Sequence, residues 1–220
     1  MPQFNNYEAI IFDCDGVILD SNQLKIEAMR NALVAQNLAE ESVNECVELF
    51  AKNFGRSRFY HVDIFCDEIL DVDDDVKHHL KAQLLQSYSQ QCKKLYMTAS
   101  LTPSVEVVLQ RSEAVKYVAS GSEQNELNTI FERRGLAKYF SKILGSPTKK
   151  TELVRQIVSE VSGVAVMIGD ARSDLEAAQE NNIDFIYYSP YSNVDETMRE
   201  LAKESGFRVI DSFDEILGEL

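Results

Sequence analysis

The sequence predicts an α/β fold, a doubly wound parallel sheet with an inserted α-helical domain, and three observations indicate it. Residues 9–12 are an unbroken apolar run, which is typical of a strand buried on both faces of a parallel sheet. The next stretch, residues 22–96, has apolar residues at helical spacing and no strand pattern. Beyond it, short apolar strands alternate with helices, as in a doubly wound sheet.

The composition excludes several classes of protein. The chain has 220 residues, 45 % of them apolar, which suits one full domain with a modest insertion. Its net charge is −14 and no basic stripe offsets it, so we expect no nucleic-acid partner. No apolar run is long enough to span a bilayer, so we expect no membrane partner. The four cysteines form no Cys-x-x-Cys pair and the start resembles no secretory signal, which favours a cytoplasmic protein. We expect it to be a monomer or a homodimer.

The predicted insertion consists of four consecutive helices. The first covers residues 23–36, and the second begins at the capping box Ser42-Val43-Asn44-Glu45. The third and fourth cover residues 56–70 and 76–96. We therefore expect residues 1–21 and 97–220 to form an α/β core domain, and residues 22–96 to form a helical cap domain.

After the insertion, the pattern predicts five more strands and the helices that connect them. The strands are expected at residues 114–119, 142–144, 163–168, 183–187 and 207–210, with helices that start at Thr102, after Ser122, at about Lys149, at Ser173, at Val194 and after Ser212. A Rossmann-like strand order of 3-2-1-4-5-6 would make strands 1 and 4 neighbours at the switch point. Ligands bind there, outside the carboxyl ends of the strands.

Two carboxylates, Asp13 and Asp15, directly follow the first strand, and Gly16 allows a sharp turn after them. In an extended backbone, residues two apart point the same way, so the two acids would repel each other unless a cation such as Mg²⁺ offsets their charge. They could instead be plain turn residues. A Ca²⁺-binding EF-hand loop is disfavoured, because a strand and not a helix precedes the acids.

A second acidic motif, residues 169–174, follows the fourth strand. Ser173 and Glu176 match a capping box that places Asp174 at the first position of a helix, where the helix dipole alone would explain a carboxylate. That explanation does not cover Asp170, which precedes the cap. The predicted strand order brings Asp170 close to Asp13.

A hydroxyl group and two lysines complete the predicted site. Ser120 and Gly121 follow the second strand, although a serine there is often only a turn residue. Lys149 and Lys150 lie in the first turn of a helix, where cations oppose the helix dipole, and this indicates an anionic partner. Carboxylates, a metal, a hydroxyl group and a lysine together suit phosphoryl transfer, with a carboxylate attacking in line.

The ordered motifs resemble the haloacid dehalogenase-like (HAD) hydrolase superfamily, in its branch with a helical cap after the first strand. The resemblance covers nearly the whole chain and implies that Asp13 is the nucleophile and a metal ligand. It implies that Asp15 is the general acid/base and binds the metal through its backbone carbonyl. It further implies that the phosphate is bound by Ser120, Gly121 and Lys150 (or Lys149). Mg²⁺ would be bound by two more acids, Asp170 and Asp174.

Within the superfamily, an acid at Asp15 argues for phosphate-ester chemistry, because the dehalogenases lack it. The subgroup looks like phosphoglycolate phosphatase and β-phosphoglucomutase, so we expect a Mg²⁺-dependent phosphatase for a small phosphorylated metabolite. A phosphosugar mutase shares all the motifs, and a phospho-accepting signalling domain is a non-enzyme alternative. In the cap, Arg56 and Arg58 follow Gly55; they could lie in a solvated turn, or bind the non-reacting end of the substrate.

Overall fold

The computed structural model describes residues 2–220 and contains one six-stranded sheet. All pairs are parallel and the strand order is β3-β2-β1-β4-β5-β6, so the predicted fold class is confirmed. The strands are β1 (Ala9–Phe12), β2 (Val115–Glu123), β3 (Lys142–Ser146), β4 (Ala165–Gly169), β5 (Asp184–Tyr188) and β6 (Arg208–Ile210).

Ten α-helices accompany the sheet in the part of the chain that the structure describes. Five lie between β1 and β2, and the first four of them are α1 (Asn22–Val34), α2 (Glu40–Lys52), α3 (Arg58–Ile64), which continues into a π-helical turn (Phe65–Ile69), and α4 (Asp74–Thr98). We call residues 22–98 the helical insert. The others are α5 (Val105–Arg111), α6 (Gln124–Arg133), α7 (Lys150–Val158), α8 (Arg172–Glu180), α9 (Asp195–Ser205) and α10 (Asp214–Leu217). None of the helices within residues 2–220 has both the length and the apolar character needed to cross a membrane.

Strand β1 is central and is buried on both faces, as its apolar run predicts. Ile10 and Phe12 belong to one hydrophobic cluster, and Ala9 and Ile11 to the other, because successive side chains point to opposite faces of a sheet. The first cluster continues into the helical insert, whose helices α3 and α4 contact β2 and α6. Phe12 pairs with Ile168 of β4, and the residues that follow these two strands therefore meet at one edge of the sheet.

Several helices begin at residues other than those that the sequence predicts. Helix α2 begins at Glu40, with Ala39 and not Ser42 as its N-cap. Helix α5 begins after Ser104, because the Thr102 hydroxyl donates to the Val17 carbonyl instead of capping the helix.

The second acidic motif shows a related difference. Helix α8 begins at Arg172, so Asp174 is its third residue and not its first. The Asp174 carboxylate reaches back and accepts a hydrogen bond from the Ala171 backbone N–H at 3.0 Å. Strand β2 also runs beyond its predicted end, to Glu123, with a change of register after Ala119, so Ser120 lies within the strand.

Candidate active site

Three buried carboxylates meet at the carboxyl ends of β1 and β4. Asp13 follows β1, Asp170 follows β4, and Asp174 lies in the first turn of α8. One oxygen from each of the three lies within 4.8 Å of those of the other two, although the residues are up to 161 positions apart in the sequence. The parallel pairing of β1 with β4 produces this contact, as the strand order predicts.

Lys150 is the cation that neutralises part of this cluster. It is the first residue of α7, it is buried, and its ammonium lies 3.2 Å from Asp13 Oδ2 and donates to Asp174 Oδ1. Lys149 is instead the exposed N-cap residue of that helix. Burial lowers the pKa of Lys150, but Asp13 and Asp174 outweigh it and leave the pKa raised, so the lysine stays charged.

The cluster holds more negative charge than one lysine can offset. Burial raises the pKa of Asp13 to about 7; Lys150 lowers it, while Asp174 and Asp15 add to the rise. Burial and the charges of Asp13 and Asp174 also raise the pKa of Asp170 well above its ordinary value. These raised pKa values show that the buried negative charges repel one another, and a further bound cation would stabilise the ionised carboxylates.

The geometry of Asp170 fits a metal ion. Its Oδ2 accepts a hydrogen bond of 2.6 Å from the Asn22 side chain, whereas its buried Oδ1 has no hydrogen-bond partner among residues 2–220. Gly16 lies against it with φ +77°, and a Cβ there would come within 2.3 Å of Asp170 Oδ2. The turn after Asp15 thus needs a glycine for its conformation and for its close approach. An all-oxygen donor set with a free buried oxygen suits a hard cation such as Mg²⁺.

Asp15 has a separate set of partners. Its Oδ1 accepts from the Ser21 hydroxyl at 2.6 Å, and its Oδ2 accepts from Lys25 at 2.7 Å, Ser122 at 2.8 Å and Tyr96 at 3.1 Å. Burial alone would raise the pKa of Asp15, but the Lys25 charge and the hydrogen bonds from Lys25, Ser21 and Ser122 lower it below the ordinary value. Asp15 is therefore ionised in this arrangement.

The sequence predictions did not include the residues that bind Asp15 and Asp170, which are Ser21, Asn22, Lys25, Tyr96 and Ser122. The signal for two of them is present in α1, where Asn22 and Lys25 share the buried face with Ala28, Met29 and Ala32. Polar residues on the buried side of a helix are rare unless they are paired, so this spacing marks them. Tyr96 and Ser122 carry no such signal, because a buried tyrosine or serine is ordinary.

The second strand brings its hydroxyl group and glycine to the same region. Ser120 is buried, and its Oγ accepts a hydrogen bond of 3.1 Å from the Ser122 backbone N–H. A Cβ on Gly121 would lie 2.4 Å from the Gly55 carbonyl and 2.9 Å from the Arg56 carbonyl. The loop before α3 therefore rests directly on this part of β2.

The helical insert leaves little free space above the carboxylates. The cavity there has a volume of about 10 Å³, room for about one water molecule. Its walls come from the sheet edge and from all parts of the insert: Asp13, Asp15, Lys25, Phe50, Phe54, Gly55, Arg56, Arg58, His61, Tyr88, Gly121 and Ser122. This space is too small for a phosphorylated metabolite.

Arg56 and Arg58 both line this cavity, but each already has a carboxylate partner. Arg56 is partly exposed and pairs with Glu176 of α8. Arg58 is buried and its guanidinium binds both oxygens of Glu126 on α6. Their predicted role in binding the remote end of a substrate stays a prediction, and it would require them to leave these partners.

Comparison with known proteins places the chain in a family. The sequence model of the haloacid dehalogenase-like hydrolases matches residues 10–188, which include β1, the helical insert and β2 to β5. The chain belongs to this family. The resemblance predicted from the motifs is thereby confirmed. No curated protein gives a significant match.

Solved structures show the same fold in this family. A predicted phosphatase from Clostridium acetobutylicum matches with a TM-score of 0.74 and 21% identity over 96% of each chain. The β-phosphoglucomutase of Clostridium difficile matches with a TM-score of 0.69 and 19% identity, over 97% of this chain and 96% of its own. The HAD-hydrolase YfnB from Bacillus subtilis, solved bound to magnesium, matches with a TM-score of 0.66 and 16% identity, over 96% of this chain and 97% of its own.

Proposed function

We propose that this HAD-family protein is a Mg²⁺-dependent phosphatase that hydrolyses a small phosphorylated metabolite through an aspartyl-phosphate intermediate. The observation that carries the proposal is the cluster of Asp13, Asp170 and Asp174, with Lys150 bound to two of its members. A phosphate-sized anion needs cations around it, and the cluster needs a cation of its own. Both needs are met when a metal and a phosphoryl group bind there together.

Asp13 serves as the nucleophile in this mechanism. Its Oδ1 accepts from the Cys14 N–H at 2.7 Å and its Oδ2 faces Lys150, which fixes the carboxylate at the end of β1. One of its oxygens bonds to phosphorus, and the bond from phosphorus to the oxygen of the alcohol breaks. Lys150, Ser120 and the backbone at Gly121 hold the phosphoryl oxygens. Asp13, Asp170 and Asp174 would hold Mg²⁺, together with the Asp15 carbonyl, and the ion would offset the charge of the phosphoryl oxygens.

Asp15 acts as the general acid and then as the general base. Because Asp15 is ionised in this arrangement, it has to take up a proton, from the phosphate monoanion of the substrate or from water, before the first step. It gives that proton to the departing alcohol, and in the second step it removes one from the water that attacks the aspartyl phosphate. The phosphorus–Asp13 bond then breaks and inorganic phosphate leaves. The contacts with Lys25, Ser122 and Tyr96 hold Asp15 in the ionised state that the second step needs.

The helical insert, residues 22–98, acts as a cap over the reaction. Its seat on β2 leaves space for about one water molecule above Asp13, so bulk water is kept away during phosphoryl transfer. The same exclusion supports a phosphosugar mutase as a second candidate, because it would let a sugar hydroxyl group accept the phosphoryl group in place of water.

Steady-state release of inorganic phosphate tests the proposal. The purified protein with Mg²⁺ is expected to turn over p-nitrophenyl phosphate many times, and to release phosphate from at least one member of a panel of phosphorylated metabolites. Rapid acid quenching followed by peptide mass spectrometry is expected to find phosphate on Asp13. A single stoichiometric phosphorylation without turnover would indicate a signalling domain, and isomerised sugar phosphate without free phosphate would indicate a mutase.

A further inference from the structure

His61 is a buried polar residue of the cavity that the mechanism above does not use. It lies on α3, one helical turn after Arg58, and is fully shielded from solvent. Its ring packs against those of Phe50, at 4.6 Å between centroids, and Phe65, at 6.1 Å. It lines the cavity above the carboxylates. Neither of its ring nitrogens makes a hydrogen bond of normal geometry in the described part of the chain, although the backbone of Asn53 lies close enough to one of them to affect its pKa.

A buried imidazole with two unpaired nitrogens is unfavourable for folding. Buried polar atoms are almost always paired, because an unpaired group loses its hydrogen bonds to water on burial and gains none in return. A phenylalanine would fill the same aromatic surroundings without that cost. The imidazole of His61 therefore needs a hydrogen-bond partner that the protein itself does not supply. Because His61 lies in the cavity wall, that partner would be the substrate.

The ionisation state of His61 limits what that partner can be. Burial, together with the charges of Lys25 and Arg56, lowers its pKa to about 3, although a hydrogen-bonding backbone group of Asn53 acts in the opposite direction. The ring is therefore neutral at physiological pH and presents one N–H donor and one lone-pair acceptor. A carboxylate could satisfy only the donor, whereas a hydroxyl group can accept from one imidazole nitrogen or donate to the other.

The cations of the cavity do not call for a second anion. Lys25 is paired with Asp15, Arg58 with Glu126 and Arg56 with Glu176. A substrate with a remote carboxylate or phosphate would have to break one of these pairs. A neutral hydroxyl group would leave all three in place and would satisfy His61.

We propose that His61 is a specificity-determining residue, which binds a hydroxyl group on the alcohol part of the substrate. The substrate class is then a phosphate monoester of a polyol or a sugar. This inference rests on the proposed phosphatase function and goes beyond it by naming the chemistry that the insert recognises.

The test compares phosphates with and without the hydroxyl groups. We define the hydroxyl preference as kcat/KM for a polyol phosphate divided by kcat/KM for the n-alkyl phosphate of the same carbon number, measured for chains of three to six carbons. The wild-type protein is expected to show a clear preference at one or more chain lengths. In His61→Phe that preference is expected to fall about 10- to 100-fold, as for the loss of one buried hydrogen-bonded contact.

Further variants separate recognition from packing. His61→Gln keeps a donor and an acceptor and is expected to retain more of the preference than His61→Leu; this pair decides the matter if His61→Phe does not fold. Phe65→Leu lies one turn further along, outside the cavity wall, and is expected to lower the melting temperature while leaving the preference at the wild-type value. The melting temperature of His61→Phe should equal or exceed that of the wild type.

Each possible outcome is decisive. An undiminished preference in both His61→Phe and His61→Leu would make His61 a packing residue and overturn the inference. Wild-type turnover without any hydroxyl preference would overturn it as well, while the phosphatase function stands. A wild-type protein that releases no phosphate from any monoester, p-nitrophenyl phosphate included, would overturn the proposed function and this inference together.

Discussion

The Arg58 guanidinium of α3 binds the Glu126 carboxylate of α6 at two points, with N–O distances of 2.9 and 2.6 Å. Both side chains are 5% exposed. Ser89 also donates to Glu126, and Arg58 lies 4.8 Å from the centre of the Tyr88 ring. The helical insert is thus joined to the sheet-bearing part of the chain by a buried ion pair at the wall of the candidate active site.

Breaking this ion pair is expected to destabilise the protein. Arg58→Met leaves the Glu126 carboxylate buried without its partner, which costs about 3–5 kcal/mol, and the double variant Arg58→Met/Glu126→Leu should recover most of that loss. Urea unfolding measures the free energy of unfolding of the single and the double variant. Arg56→Met is the matched control, since its partly exposed pair with Glu176 should contribute less than about 1 kcal/mol. Equal losses in the two arginine variants would show that the buried pair has no special role.

Asp13→Asn is expected to abolish turnover while the fold survives. An amide is a poor nucleophile, so kcat should fall on the order of 10³-fold or more. The measurement is release of p-nitrophenol, with circular dichroism to verify folding. Asp71→Asn, in an exposed turn of the helical insert, is the control and should behave as the wild type. Near-normal turnover by Asp13→Asn would remove Asp13 from the mechanism.

The metal-free protein is expected to gain stability when Asp170 is replaced by Asn. Burial raises the pKa of Asp13 to about 7, and it also raises the pKa of Asp170 well above its ordinary value, so the folded state binds protons more tightly than the unfolded state. The contribution of the cluster to stability is therefore intact below about pH 4 and declines as the pH rises through 7. In EDTA, Asp170→Asn should melt a few degrees above the wild type at pH 8, and by a smaller margin at pH 5. A larger margin at pH 5 would contradict this assignment.

Mg²⁺ is expected to stabilise the wild-type protein and to be required for its activity. Binding to the folded state alone raises the melting temperature with ligand concentration. Titration of Mg²⁺ into EDTA-treated protein should therefore raise it, and Asp170→Asn should show little or no shift. Full activity after complete removal of divalent ions would argue against a metal-dependent reaction.

Gly121→Ala is expected to impair catalysis by preventing the insert from seating. The added Cβ would meet the Gly55 and Arg56 carbonyls at 2.4 and 2.9 Å, distances that require the insert loop to shift. We expect kcat/KM to fall about 10-fold or more with a small change in melting temperature, because a 1 Å misplacement at an active site can cost up to about 100-fold. Gly218→Ala is the control, since a Cβ there meets nothing within 4 Å. Wild-type activity in Gly121→Ala would show that this contact is dispensable.

The sequence by itself determined the sheet and the acids that end its strands. The apolar run of β1, the alternation of strands and helices, and the rules for parallel connections lead to one strand order, and that order places Asp13 beside Asp170. These features depend on local pattern and on topology, and both are written along the chain.

Tertiary structure alone decided which side chains complete the site. The sequence motif favours Lys150 but leaves its neighbour Lys149 open, and the start of α7 turns Lys150 toward Asp13 and leaves Lys149 in solvent. Arg58 meets Glu126, 68 positions away, because the insert folds back over the sheet. The unpaired nitrogens of His61 follow from the packing of α3 against its neighbours. Such contacts depend on the distances between elements that are remote in sequence, and no periodicity or motif along the chain encodes them.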